Sequence, residues 1–376
     1  MHDVLIAGGG PVGASLALHL ADSGLDVAVV SSSPRKEEAL RPVALSHASR
    51  LLLERIDAFD ASACAPIHSV HVSQQGGFGR TLIQREELGV PALGYVFDLG
   101  QLSEGLSARL GKSRVDGRVL QWDADESGVR VDVHQNDQAI TLEARLLIVA
   151  DGGQWAGDDL AIRDYEQSAV VATVQSKEAP AGRAWERFCD TGPLALLPYA
   201  DRYAAVWTTT HRQAETLAAM EEKAFLRALQ QAFGSRLGPF LEAGPRLKFP
   251  LILKYRKNPI AGLRTLIIGN AAQSLHPVAG QGLNLGLRDV FELAEQIRMV
   301  PRDRIGDGLF LQAYAERRHI DRRATITATD SLVQLFSGDA LGLSHARGLA
   351  LTALDLFTPI RRVFARRMVY GLRNFP

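Results

Sequence analysis

Val4-Leu5-Ile6-Ala7-Gly8-Gly9-Gly10-Pro11-Val12-Gly13 is the stretch that decides the fold. A short apolar run leads into GxGxxG, and across 11–23 the residues Leu16, Leu20, Ala17 and Ala21 recur at helical spacing. Strand, glycine turn and helix, in that order, are the setting in which this motif binds a dinucleotide. Gly8 permits the tight turn, Gly10 lets the backbone approach a pyrophosphate, and Gly13 lets the helix pack closely on the strand. Pro11 and Val12 open the helix, whose free N–H groups and positive dipole end suit phosphate. Gly24 is placed to end that helix. Val27, Val29 and Val30 then make a second strand over 26–31, completing a β-α-β unit.

An acidic residue that would bind ribose hydroxyls is expected about 20 residues further on, at the end of the second strand. Ser31-Ser32-Ser33 stands there instead, followed by Arg35 and Lys36. Serine hydroxyls can bond a ribose, more weakly than a carboxylate does. The basic pair would suit a 2′-phosphate. The motif alone does not separate FAD from NAD(P).

Working outward, helices are expected over 46–57, 99–110 and 220–233, and strands over 128–133, 144–150, 168–174, 203–210, 247–253 and 263–268. The stretch 67–97 is strand-like and carries Gly76, Gly77 and Gly79, and after Leu283 the chain reads as helix almost to its end. The pattern predicts an α/β protein whose domains interleave. A Rossmann-like dinucleotide domain with a parallel sheet takes 1–66, 99–155 and 262–300. A mixed or antiparallel sheet domain takes 67–98 and 156–261, and a helical region takes 301–376.

The most specific stretch runs from Gly269 to Asp289: GNAAQSLHPVAGQGLNLGLRD. It combines a strand end, a loop with closely spaced glycines and a new helix start near Leu283. Such a start stabilises partial negative charge. This segment resembles the flavin-contact motif of class A flavoprotein monooxygenases, and Asn270 in place of aspartate, followed by Ala-Gln, resembles the ubiquinone-biosynthesis hydroxylase branch. The resemblance implies that Gly269 and Asn270 lie at the ribityl chain. Pro277 and the backbone of Gly280, Gln281, Gly282, Leu283 and Asn284 would face the isoalloxazine ring. Asp151-Gly152 resembles the family's Asp-Gly pair near FAD and the nicotinamide approach. Gly100-Gln101 resembles a helix start contacting the flavin nucleotide, and Arg41 a family arginine near the cofactor. The sequence departs from the family after Asp151-Gly152, where Gly153-Gln154-Trp155 replaces a small residue, serine and arginine, and at Ser31. Residues 313–318 and 329–336 resemble the branch's C-terminal helices, so the likeness spans the chain.

The resemblance implies bound FAD, transient NAD(P)H and O2, and ring hydroxylation of a prenylated phenol in ubiquinone biosynthesis through a flavin C4a-hydroperoxide. No second GxGxxG is present, which suits a nicotinamide that visits and leaves. No side chain is assigned as catalytic, since the cofactor carries the chemistry. His276 lies in the flavin loop and reads as a histidine that shapes the turn before Pro277. His47, His211 and His319 read as surface or hydrogen-bonded residues. Tyr199, Trp207 and Tyr255 either line an aromatic pocket or pack a core. A related hydroxylase of small soluble aromatics, and a non-catalytic flavin-fold subunit of a biosynthetic complex, are the alternative functions.

Composition narrows the classes. The chain has 376 residues, with Lys+Arg and Asp+Glu both at 42, so a nucleic-acid partner is not expected. Cys64 and Cys189 form no CxxC pattern, and no metal is expected. A strand at the extreme N-terminus leaves no room for a signal peptide, and no apolar run approaches membrane-spanning length. A cytoplasmic protein is expected, peripheral at the inner face of the membrane if the basic end engages it. That end, 357–376, carries Arg361, Arg362, Arg366, Arg367 and Arg373 interleaved with Ile360, Val363, Phe364, Met368, Val369 and Leu372. It suits an anionic membrane or a partner protein, or else a solvated terminal helix.

Overall fold

The computed structural model describes residues 1–32, 41–155, 160–275, 280–337 and 343–371. Ser33, Arg35, Lys36, Gly157, Asp158, His276, Pro277, Leu372 and Arg373 lie outside the described residues. The opening strand is His2–Ala7, and Leu5 and Ile6 are fully buried in it. It is flanked in parallel by Val27–Ser31 and by Gln138–Val149, and residues covered on both faces of a parallel sheet read as an unbroken apolar run. Arg114–Asp116 extends one side, and Thr265–Ile267 pairs in parallel with Leu147, Ile148 and Val149. Val129–Gln135 and Arg118–Ala124 add an antiparallel wing, giving seven strands among the described residues. Ala7, Val30, Val149 and Ile267 end on the same sheet edge. That edge is where doubly wound sheets bind ligands.

The second sheet has nine strands among the described residues, running from Gln273–Ser274 through Leu247–Arg256, Leu160–Ser176, Arg202–Thr210, Gly192–Tyr199, Arg183–Cys189 and Ser69–Gln74 to Arg80–Gln84, with Phe240–Ala243 pairing beside the end of Leu160–Ser176. Alternation sets its two faces. Val170, Ala172, Trp185, Leu194, Leu196, Tyr203 and Trp207 pack under the helices His211–Ala219 and Glu222–Phe233. The opposite face looks toward the dinucleotide sheet. Trp207 is therefore core packing, and Tyr199 is partly buried in a separate apolar cluster. A small sheet of Pro42–Ser46, Gly94–Asp98 and Cys64–Ile67 lies beside these two.

Several elements escape the sequence patterns. Arg118–Ala124 is a strand whose side chains are mostly exposed, so it shows no apolar alternation. Gly192–Tyr199 contains Pro193 and Pro198, which argue against a strand locally. Helix His211–Ala219 starts at Thr210, whose hydroxyl accepts from Gln213 N–H at 3.3 Å. The long C-terminal helical stretch resolves into Gln281–Met299, Gly308–Ser337, Leu343–Leu356 and Thr358–Tyr370.

The first helix, Pro11–His19, crosses Gln281–Met299 with Val12 as the contact. A Cβ on Gly269 would lie 3.0 Å from the Val12 methyls, and one on Gly286 would lie 2.8 Å from Val12 Cγ2. Behind this contact lies a buried charge network. Asp289 accepts from Gly269 N–H at 3.3 Å, from Gln273 Nε2 at 2.8 Å and from Arg318 Nε at 2.8 Å. Arg288 Nε donates to Asp321 at 3.0 Å. Burial works to raise the Asp321 pKa, and Arg288 and Arg318 outweigh it and hold the carboxyl ionised. The pairing is what makes these interior charges tolerable. Gly286→Ala is expected to lower stability by about 1–3 kcal/mol through overpacking on Val12. Adding Val12→Ala should recover most of that loss, and urea-denaturation midpoints of the two single variants and the double variant check the coupling.

Candidate active site

At the sheet edge the first turn is built as its glycines require. Gly8 has φ +117°, and a Cβ there would lie 2.4 Å from the Ala150 carbonyl oxygen. A Cβ on Gly13 would lie 1.9 Å from the Gly8 oxygen, so the helix reaches the strand only through glycine. Gly10 differs, because a Cβ there would meet nothing within 4 Å and would enter open space in front of the helix. The first intrahelical bond is Ala14 N–H to Gly10 O at 2.9 Å, which leaves the preceding N–H groups for a ligand.

The second turn repeats the device. Gly280 sits at φ +60°, ψ 28° and starts helix Gln281–Met299. Neither this helix nor Pro11–His19 has a side-chain cap. Elsewhere Ser46, Asp98 and Thr210 cap their helices, while Glu222–Phe233 and Thr358–Tyr370 also start without a side-chain cap. Both glycine-turn starts face one cavity of about 1020 Å³, lined by Gly8 to Val12 and by Gly280 to Asn284. Orphan N–H groups at both starts fit a pyrophosphate and the electron-rich edge of a reduced flavin.

Asn284 is wholly committed to holding the second turn. Its Oδ1 accepts from Ser46 N–H and Ser49 Oγ, both at 2.7 Å, and its Nδ2 donates to Ala44 O at 2.9 Å and Gly280 O at 2.7 Å. Gln281 Nε2 donates to Met368 O at 3.3 Å. Asp151 accepts from Gly153 N–H at 2.9 Å, Gln154 N–H at 3.3 Å and Trp155 N–H at 2.8 Å, so its carboxylate shapes its own turn. Trp155 has a structural setting: its ring lies 4.9 Å from Trp122 and under the Arg256 guanidinium at 4.6 Å.

Of the residues singled out from sequence, Gly8, Gly10, Pro11, Val12, Ser31, Ser32, Arg41, Asp151, Gly152, Asn270, Gly280, Gln281, Gly282, Leu283 and Asn284 all line this cavity. Gly13 and Gly269 are buried behind it and act through packing. Gln101 is not on its wall. Asp98 caps the Gln101 N–H at 3.0 Å and the side chain is exposed, while Leu99, Ser103 and Ser107 of the same helix face inward. Sequence reasoning missed Arg118 and Trp122, which line the cavity near Ser31. The preceding strand, Arg114–Asp116, is too short to show a pattern. It also missed Glu186, on the inner face of the second sheet.

Two glycine turns on one cleft beside a mixed sheet define a flavin-type dinucleotide site of the monooxygenase kind. Sequence comparison agrees. The family described as "FAD binding domain" matches residues 1–328. The chain is 33% identical over 395 residues to the ubiquinone hydroxylase UbiL of Rhodospirillum rubrum, covering 100% of this chain and 91% of that protein. It is 30% identical to the 3-demethoxyubiquinol 3-hydroxylase of Escherichia coli, covering 96% of each. The crystal structure of p-nitrophenol 4-monooxygenase PnpA from Pseudomonas putida superposes with a TM-score of 0.78 at 17% identity, covering 99% of both chains. This chain belongs to the FAD-binding-domain family of flavoprotein monooxygenases, and its cofactor is FAD.

Gly10 has φ −67° and ψ 179°, which any residue adopts. Gly10→Val is therefore expected to leave the fold intact while its side chain fills the pyrophosphate space. FAD binding should weaken roughly tenfold or more, a change of about 1.4 kcal/mol or greater. Flavin absorption retained after gel filtration, beside an unchanged melting temperature of the flavin-free protein, checks it.

Proposed function

We propose that this protein hydroxylates the aromatic ring of a prenylated phenol in ubiquinone biosynthesis, consuming NAD(P)H and O2. The observation that carries the reading is the far half of the cavity. Beyond the glycine turns its wall is mostly apolar: Val70, Val72, Ile83, Val171, Phe249 and Leu251 from the second sheet, and Leu351 and Leu354 from helix Leu343–Leu356. A volume of about 1020 Å³ is at the upper end of the range of about 300–1000 Å³ for single-ligand pockets. That leaves room for a substrate with an apolar tail beside the cofactor. A small soluble aromatic would leave much of this wall wet. FAD, when bound, supplies oxygen activation and accepts the hydride. The protein's part is to hold FAD at the two helix starts, to exclude water with the apolar wall and to orient the ring. NAD(P)H oxidation with purified, FAD-loaded protein is expected to transfer one atom of isotopically labelled O2 into 2-geranylphenol. Oxidation that yields only hydrogen peroxide would count against the reading.

The C-terminal helix supports delivery of such a substrate from lipid. Phe364, Ala365, Met368 and Val369 of Thr358–Tyr370 line the cavity, while Ile360, Arg362, Val363, Arg366 and Arg367 are exposed. Leu349, Leu356 and Phe357 are exposed beside them. Arg361 departs from the expected basic face, since its Nε donates to Glu87 at 2.8 Å. No helix among the described residues is long and apolar enough to cross a membrane. The pattern is that of a surface-lying helix on an anionic bilayer, where each basic residue contributes about 1 kcal/mol. Replacing Arg362, Arg366 and Arg367 together by Glu is expected to abolish co-sedimentation with phosphatidylglycerol vesicles at low salt. Equal binding by the triple variant would remove the membrane from the account.

A further inference from the structure

Glu186 is the one acidic side chain placed on the inner face of the second sheet within the cavity wall. Its strand, Arg183–Cys189, alternates so that Ala184, Glu186 and Phe188 face inward while Trp185 and Cys189 join the core under the helices. The cross-strand row through it runs Val72, Glu186, Ala195, Val206, Val171. Every other member of that row is apolar. No hydrogen bond or ion pair reaches its carboxyl among the described residues. Among the described residues the other charged groups on the cavity wall are Arg41, Arg118 and Asp151. Arg41 lies over the Phe249 ring at 5.0 Å, and the Asp151 carboxylate is bonded within its own turn. From the C-terminal helices Ala350, Leu351, Leu354, Phe364 and Met368 face the cavity, all uncharged. On its own strand Arg183 and Arg187 belong to the opposite face, where Arg183 lies over Trp185 and Arg187 Nε donates to Ala232 O.

The strand that carries Glu186 joins the apolar cluster that packs against the flavin turn. Ala44 is the first neighbour a Cβ on Gly280 would meet, at 3.3 Å, and Ala44 packs in the same apolar cluster as Val70, Ala184 and Leu197. Glu186 is two residues along the strand from Ala184, on the same face. A lone carboxyl on an apolar wall weakens the fold unless a hydrogen-bond donor comes to it. Glu186 is half-buried and lines the cavity, so a molecule bound there is placed to supply that donor.

We propose that Glu186 receives the ring hydroxyl of the bound phenol and serves as the general base of the hydroxylation. This rests on the reading of the protein as a phenol hydroxylase. The phenol O–H bond breaks, the proton joins a Glu186 carboxylate oxygen, and the electron pair stays on the phenol oxygen, where it enriches the ring for attack on oxygen derived from O2. As the ring carbon forms its new C–O bond the O–O bond breaks, and the second oxygen, reduced by the two electrons that NAD(P)H supplies, leaves as water. The carbon sheds its hydrogen as a proton to solvent when aromaticity returns, and Glu186 returns its own proton to the ring oxygen. Burial pushes the Glu186 pKa up to about 7, which suits a base working near neutral pH. Because that value lies above the ordinary glutamate value of 4.5, ionising Glu186 costs folding stability as pH rises from about 4.5 through about 7.

The test compares wild-type holoenzyme with Glu186→Gln and Glu186→Leu, using 2-geranylphenol and its methyl ether as probes. Perturbation of bound-flavin absorption reads binding, and product formation reads turnover. All three proteins should hold FAD. Wild type should bind the phenol about tenfold more tightly than the ether. Glu186→Leu should lose that preference, while Glu186→Gln, whose amide oxygen still accepts the phenol O–H but cannot take its proton, should keep much of it. Turnover of Glu186→Gln should fall by about 10²–10⁴-fold, and the wild-type rise in rate with pH near 7 should vanish. A Glu186→Gln enzyme with wild-type turnover and pH profile, or a Glu186→Leu enzyme with wild-type phenol preference, would overturn the role of Glu186 while leaving the hydroxylase reading standing. A wild type that inserts no oxygen into 2-geranylphenol would overturn that reading and this role together.

Discussion

Val12, wedged between Gly269 and Gly286, is the contact on which the site depends. It carries the phosphate-binding turn on one side and meets the flavin turn's strand end and helix on the other, more than 250 residues away in sequence. Interiors are packed like crystals, so a contact with no spare volume fixes relative position closely. Asn284 performs the polar counterpart. Its four hydrogen bonds tie the flavin turn to the small sheet and to the start of helix His47–Glu54. Together they set the separation of two helix starts that must grip one dinucleotide.

The interior handles charge in two contrasting ways. Around Asp289, Arg318, Asp321 and Arg288, opposite charges are paired and bonded, and removing any one of them would leave a buried ion uncompensated. Burial alone would lower the Arg318 pKa, and Asp289 and Asp321 outweigh it. This network also braces the flavin turn against helix Gly308–Ser337, which explains why the C-terminal helices belong to the site rather than to a separate appendage. In the cavity, by contrast, helix dipoles are left uncapped and a carboxyl is left unpaired. Those are the places where a cofactor and a substrate complete the structure.

The second sheet serves two masters through strand alternation. One face is sealed by Trp185, Trp207 and their helical cover, and the other is the dry wall of the cavity. The helices at the C-terminal end do the same, with one face on the cavity and the other outward.

The sequence by itself determined the two glycine turns, the strand-helix order around them and therefore a dinucleotide as the ligand, while the resemblance of the second turn to a known family pointed to FAD. These are local: a positive φ or a missing Cβ is required wherever backbone passes backbone, and glycine is the residue that supplies it. Much of the cavity wall followed from the same motifs. Only the tertiary structure decided that Asn284 and Asp151 hold turns, that Gln101 faces solvent, that Arg361 is paired, and that Arg118, Trp122 and Glu186 reach the cavity. Each of those outcomes depends on which face a strand or helix shows to a distant neighbour. Glu186 in particular is one charge in a short strand, Arg183–Cys189, and its meaning comes from the apolar residues of four other strands that pairing brings alongside it. Register across a sheet is a long-range property, and a single chain read in order does not contain it.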